Sequence, residues 1–275
     1  MNFKINLCEN KLNLILRLLK FALSIFLAFI LYRAIFYNIF IKSIHIILYL
    51  LVWLYISYIL IPIVTRLITK FYLPDYFIGR TKTNDGLLGD PINIAFFGEK
   101  DDLIEAFKIN GWYIADELNL KSSIKICFAS IFSKSYPNAP VSSLFLFSRK
   151  QDIAFEKEIH GTPRKRHHIR LWKTPNDWYL PGGLKADWLA SATYDKNIGL
   201  SLFTGQITHK IDSNIDSERD FVINSLKKTD SIKTITLVKH FTSSYHGRNG
   251  GGDRIYTDGC LPFVTIKINP SKNKG

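Results

Sequence analysis

Acidic side chains are nearly missing from the first 70 residues. Glu9 stands alone there against Lys4, Lys11, Arg17, Lys20, Arg33, Lys42, Arg66 and Lys70. This quarter of the 275-residue chain carries +7 of the net +13, and the remaining +6 is ordinary for a globular domain. Cysteine is scarce as well: Cys8, Cys127 and Cys260 are the three present, and none belongs to a Cys-x-x-Cys pair. That excludes a cysteine-based zinc site and agrees with a reducing compartment, while leaving a single Cys127–Cys260 disulfide open. The chain has no Gly-x-x-x-x-Gly-Lys-Ser/Thr sequence to cradle a nucleotide and no Gly-x-Ser-x-Gly elbow of an α/β-hydrolase. It shows no internal repeat, and no low-complexity tract beyond the tail "NPSKNKG".

What is abundant is apolar length. Hydrophobic residues make up 47% of the chain beside 21% charged ones, and many fall in two long runs. From Ser43 to Thr65, 23 residues pass without a Lys, Arg, Asp or Glu, and about 20 apolar residues in a helix cross the hydrocarbon core. Residues 12–32, "LNLILRLLKFALSIFLAFILY", form the second run; Arg17 and Lys20 lie near its start, where they can snorkel to the headgroups. Both runs are apolar around their whole circumference and too long for most soluble cores. They predict a transmembrane hairpin joined by the short aromatic turn "RAIFYNIFIK". A cleaved signal peptide fits poorly, because Arg33 follows with no small-residue cleavage site and another span comes at once.

Basic residues at the outer ends of the spans outnumber Arg33 and Lys42 in the turn. The positive-inside tendency then puts both ends, and the soluble domain, on the cytoplasmic side of an inner membrane. His45 and Pro62 in the second span read as packing or kink features. Membrane lipids are the first expected partners. More than half of the positive charge flanks the spans, so anionic headgroups account for the pI near 9.5, and the small "RKRHHIR" patch argues against nucleic acid.

The expected layout is a membrane anchor over residues 1–70 with spans near 12–32 and 43–65, a linker at 71–87, a soluble domain at 88–268 and a flexible tail at 269–275. "DGLLGDP" has turn chemistry and serves as the end of the linker. "INIAFFG" predicts a buried strand and "EKDDLIEAFKING" an amphipathic helix with acids in its first turn and Gly111 after its end. "SIKICFASIFSK" and "DSERDFVINSLKK" predict further helices. "SLFLFSRK", "HHIRLWK", "DWLASATYD", "NIGLSLFTGQITHKI", "IKTITLVKHF" and "LPFVTIKI" are β-rich runs. Strands outnumber helices without alternating strictly, which predicts an α+β domain with a mixed or largely antiparallel sheet.

Chemistry is densest in "RKRHHIRLW", residues 164–172. If this stretch is a strand, Arg166, His168, Arg170 and Trp172 share one face, and Lys165, His167, Ile169 and Leu171 the other. The first face suits an anionic group such as phosphate or carboxylate; with Arg248 it forms the expected ligand set. His167 goes inward with the apolar residues. In "GQITHKID", His209 does the same beside Ile207 and Ile211. His167 and His209 with Asp195 could form an acid/base set, or with Asp212 a metal site, although no known local metal spacing supports either. The acids of "NIDSERDF", Asp216, Glu218 and Asp220 around Arg219, read as helix-start chemistry. "HGRNGGGDR" reads as a mobile loop over a site, with Arg248 and Arg254 as anion contacts.

In order along the chain, "DPINIAFFG", "NGWYIAD", "PVSSLFLFSRKQDIAFEKE", "RKRHHIRLWKTP", "WLASATYDKNIGLS", "TGQITHKIDSNIDSERDF" and "DRIYTDG" resemble the LssY carboxy-terminal domain family, over roughly residues 88 to 260. The resemblance implies a bacterial membrane protein; such domains often follow a multi-span phosphatidic-acid-phosphatase-type domain. This chain has only a helical hairpin there and lacks the phosphatase's Pro-Ser-Gly-His and Arg-Pro motifs, so that activity is not carried over. The resemblance assigns no catalytic role to His167, His168 or His209 and no cofactor.

Two functions are therefore weighed. One is a membrane-anchored binding domain whose Arg166, His168, Arg170 and Trp172 hold an anionic headgroup, metabolite or protein partner. The other is a metal-dependent or histidine-based hydrolase of a phosphate-bearing substrate, which requires His167 and His209 to be neighbours.

Overall fold

In a computed structural model the chain is described over residues 18–35, 46–72, 77–132, 134–159, 161–242 and 246–267. It divides into two units, Met1–Pro74 with Thr204–Gln206, and Asp75–Phe203 with Ile207–Gly275.

The first unit holds α1 (Leu18–Ile35) and a continuous helical run over Ile46–Phe71, both long and apolar enough to cross a membrane. Mean hydropathy reaches 2.0 and 2.4, yet only 6% and 11% of the two windows is buried. That argues against core helices, which hide such surfaces. Tyr55 donates its hydroxyl proton to the Ser24 carbonyl, tying the helices together. The second run comprises α2 (Ile46–Tyr55), a π-helical turn (Ile56–Leu60) and α3 (Ile61–Tyr72). The π turn ends just before Pro62: the Ile61 N–H bonds to the Ile56 carbonyl, and Pro62 has no N–H to continue the ladder. His45 and the start of the first predicted span lie outside the described residues.

The second unit is α+β, as expected. Its large sheet has the order β11-β14-β3-β9-β8-β7-β4, with β10 beside β9, and only the β14–β3 pair is parallel. Here β3 is Ile94–Phe97, β4 Tyr113–Ile114, β7 Ile153–Ile159, β8 Thr162–Lys173, β9 Trp188–Leu200, β10 Ile207–Ile211, β11 Ile232–Val238 and β14 Leu261–Ile266. Helices α4 (Lys100–Ile109) and α6 (Ile215–Lys228) bury Leu103, Phe107, Val222 and Leu226 in one core with Ile169, Leu171 and Phe155. The helix α5 (Leu120–Ile131) starts at a capping box in which Asn119 and Ser122 satisfy each other's backbone N–H groups.

A second sheet changes how the first must be understood. Strands β1 (Arg80–Thr83), β2 (Leu88–Pro91), β5 (Leu144–Leu146) and β6 (Arg149–Lys150) pair in the order β2-β1-β5-β6. Leu144 and Leu146 of β5, with Ile92, Leu180 and Ala186, form a second core around Trp172 and Leu189. Strand β1 falls in the stretch expected to be linker, and β2 lies in the "DGLLGDP" segment with turn chemistry. "LGDP" is a strand because Thr81 and Gly89 pack closely, with the Thr81 hydroxyl donating to the Asp90 carbonyl at 2.8 Å. "NIGLSLFTGQITHKI" likewise splits into the end of β9, a turn and β10. A small ribbon, β12 (His246–Arg248) with β13 (Arg254–Tyr256), completes the unit.

Candidate functional site

Strand β8 is flanked by β7 and β9, with Glu156 opposite His168, Asp195 opposite Arg166 and Thr193 opposite His168. Period two then works as expected, since residues 166, 168, 170 and 172 share a face. That face, however, is not open to a ligand. Arg166, His168, Arg170 and Trp172 are all at most 3% exposed, because the β2 and β5 segments cover them. The expectation of a solvent-facing anion site at these four residues is therefore corrected: the anions are the chain's own carboxylates.

Arg166 Nη1 donates to Glu156 Oε2 at 2.6 Å and its Nε to Asp195 Oδ2 at 2.9 Å. Arg170 donates through Nε to the Ser142 carbonyl at 3.0 Å, and its Nη1 reaches Asp90 Oδ2 at 3.4 Å. Two guanidiniums thus meet three carboxyls, and no net positive charge is left for a ligand. Burial opposes ionisation of Asp195, but His168, His209 and Arg166 prevail and hold its carboxyl well below the usual carboxylate range. For Glu156 burial wins over Arg166 and pushes the carboxyl up to about 8.

His168 Nε2 lies 2.8 Å from Arg170 Nη1 and 2.7 Å from Thr193 Oγ1. Arginine can only donate, so Nε2 is the acceptor and the ring proton sits on Nδ1. Nδ1 faces Asp195 Oδ2 at 3.4 Å, and burial, with Arg170 and Arg166, outweighs Asp195 to keep the ring neutral. Hydroxyl, imidazole and carboxylate stand here in the order of a nucleophilic triad. Arg170 nevertheless occupies the lone pair that would take the hydroxyl proton, and Thr193 is 1% exposed. The arrangement holds two sheets together and presents no nucleophile.

The histidines expected to converge are on opposite faces. His167 Nδ1 lies 2.7 Å from Glu218 Oε2 on α6, and its ring stacks on Phe221 at 3.8 Å. His209 turns to the other side, where its Nδ1 is 4.0 Å from Asp195 Oδ2. His209 and Asp195 are therefore brought together, and His168 stands where His167 was expected. Asp212 accepts the Asn214 N–H at 2.9 Å in the turn before α6. Among the described residues no group of three His, Cys, Asp or Glu side chains could hold a metal, so His167, His209 and Asp212 do not form the expected site. Arg219 bridges Asp216, Asp220 and Asp258, the structural reading of that cluster. Cys260 is a free thiol, and the side chain of Cys127 lies outside the described residues.

The glycine-rich segment is an ordered turn. Asn249 is its keystone: Oδ1 accepts the N–H groups of Gly251 and Asp253, and Nδ2 donates to Asp90 Oδ1 at 3.1 Å. Gly250 packs where a Cβ would sit 2.4 Å from Thr83 Cγ2, and Gly252, with φ +82, where one would sit 2.3 Å from Leu202 Cβ. The turn projects β12 and β13, whose partners are His246 with Tyr256 and Arg248 with Arg254. All four are exposed and, by period two, share one ribbon face. His246 and Tyr256 meet edge to face at 5.1 Å. Arg80 lies beneath, its Nη2 donating to the carbonyls of Gly89 and Arg248 at 2.7 Å.

Neither Arg248 nor Arg254 has an ion-pair partner among the described residues. Arg248 Nη1 donates to the Gly252 carbonyl at 2.6 Å, and the adjacent Asp253 is taken by Lys210 at 3.0 Å. A separate cavity of about 310 Å³ is lined by Lys100, Asp116, Glu117, Lys150 and Asp152 among others. Two of its acids are already engaged, Asp116 by Tyr136 and Asp152 by Arg149.

Comparison with known families agrees with this architecture: the family model described as LssY C-terminus matches residues 70–261. The chain belongs to the LssY C-terminal family. The match begins within α3 and takes in β1 and β2, so the second sheet is part of the LssY domain. No curated protein and no solved structure matches the chain. The site of this LssY domain therefore has to be read from its own geometry. Sequence reasoning singled out Arg248 and Arg254 and passed over the neighbouring His246, Tyr256 and Arg80; the "HGR…DRIY" symmetry about the glycines was the available signal.

Proposed function

We propose that this protein is a membrane-anchored, anion-binding LssY domain that works at the cytoplasmic surface of a bacterial inner membrane, with the β12–β13 ribbon as its ligand contact. One observation carries the reading: Arg248 and Arg254 face each other across the ribbon, exposed and, among the described residues, without a carboxylate. Like charges placed directly opposite on paired strands destabilise the pair, and a bound phosphate or carboxylate removes that cost. Two guanidinium forks offer it charge-assisted, bidentate hydrogen bonds. The basic outer ends of the two apolar helices support the cytoplasmic side. The hydrolase alternative has less support, since His167 and His209 lie on opposite faces of the sheet and Thr193 is sealed.

Calorimetric titration of the full chain in detergent with inorganic phosphate tests the proposal. Arg254→Ala and Arg248→Ala should each weaken binding by roughly 10-fold or more, the worth of one hydrogen bond to a charged group. Unchanged affinity in both variants would overturn it.

A further inference from the structure

We infer that the turn between β9 and β10 dips into the bilayer, and that the anions taken by the neighbouring ribbon are the phosphates of anionic lipids. This rests on the ribbon being an anion site and adds where its ligand comes from. The turn is unusually apolar for a solvent-exposed one: Leu200, Leu202, Phe203 and Ile207 are 56%, 64%, 45% and 59% exposed. Surface turns are ordinarily built from Gly, Asn, Asp and Ser, and clustered exposed apolar side chains mark an interaction surface.

Leu202 of the apolar turn and Lys210 of β10 are tied to the basic ribbon by hydrogen bonds. The Leu202 N–H donates to the Gly251 carbonyl at 2.9 Å, and Lys210 Nζ reaches the same carbonyl at 3.0 Å. Lys210 also pairs with Asp253 at 3.0 Å, and Gly252 is shaped around Leu202. Apolar side chains beside unpaired arginines match the acyl boundary and headgroup layer of an anionic membrane. Such a membrane is always within reach. Only residues 73–79 separate α3 from β1, at most about 25 Å of extended chain, so the encounter is intramolecular and weak contacts suffice.

The experiment uses the full chain, with its native cysteines changed to Ser and Phe203→Cys carrying the environment-sensitive dye NBD, in nanodiscs. The lipid is phosphatidylcholine alone or mixed with phosphatidylglycerol. The dye should be quenched several-fold by lipids bearing a nitroxide on the acyl chain, more strongly with phosphatidylglycerol, and Arg248→Ala/Arg254→Ala should remove that increment. Leu200→Cys provides a second reporter if Phe203→Cys fails to fold. Dye that aqueous iodide quenches freely in both lipids overturns the inference, and intact phosphate titration in the same sample then leaves the ribbon's anion site standing. Shielding that ignores both lipid charge and the arginine changes overturns the headgroup assignment.

Discussion

Two pairs of arginines in this domain stand in opposite circumstances. Arg166 and Arg170 stand four residues apart on one face of a central strand, buried, with Glu156, Asp195 and Asp90 around them. Arg248 and Arg254 stand opposite each other on a ribbon at the surface, with no carboxylate of their own among the described residues. A cationic motif becomes a ligand site only where the fold withholds the counterion. The buried pair is neutralised by the chain's own carboxyls, with Arg170 reaching Asp90 of the second sheet, and under the proposed function the exposed pair is left to meet an anion from outside.

The largest break in that comparison comes from taking the counterion from the buried pair. Asp195→Ala leaves Arg166 in the interior with only Glu156, whose own carboxyl burial already disfavours as an anion. An uncompensated buried charge costs about 3–5 kcal/mol, so the variant should unfold far earlier in denaturant or on heating. A loss below about 1 kcal/mol would mean that Arg166 reaches solvent and that the row is not sealed.

The next effect is on pH dependence. Burial raises Glu156 to about 8 against the opposing Arg166. The folded state then keeps a proton that the unfolded chain loses near 4.5, so stability falls as pH rises through that interval. His209 acts in the other sense: burial, despite Asp195, pushes it down to about 4, so stability falls as pH drops from 6.5 towards 4. Between pH 6.5 and 8 the histidine is neutral in both states and the carboxyl trend stands alone, with Glu218, raised mainly by burial, adding the same sign. Chemical denaturation should show a decline of up to about 2 kcal/mol from Glu156 across that window. Glu156→Gln, which can still accept from Arg166, should flatten it.

Why the sequence led to the wrong side of β8 is physical. Alternation correctly separates Arg166, His168, Arg170 and Trp172 from His167, Ile169 and Leu171, and the apolar helical runs announce themselves by length. Alternation carries no information about whether the polar face is covered. That depended on "GLLGDP", whose Gly, Asp and Pro favour turns but which β1 and β5 recruit as a sheet around Trp172. It depended too on cross-strand register, which sets Asp195 opposite Arg166 from a point 29 residues away. The exposed pair was legible because Arg248 and Arg254 flank glycines. The His246 and Tyr256 partners follow only once the hairpin register is known.

The smallest change sharpens the comparison most, because its sign differs. Arg254→Glu would give Arg248 the opposite charge across the ribbon, and among the described residues the Arg254 side chain makes no hydrogen bond that its removal would break. Opposite charges on a cross-strand pair are mildly favourable where like charges are not, so the variant should be more stable by about 0.5 kcal/mol or less. It should also lose phosphate binding more completely than Arg254→Ala, since a resident carboxylate then occupies the Arg248 fork. Equilibrium denaturation and phosphate titration on one preparation read both. Gained stability with lost binding is what an exposed, counterion-starved pair must give. A loss of stability like that of Asp195→Ala would place Arg254 with the buried row, its charge already spoken for inside the fold.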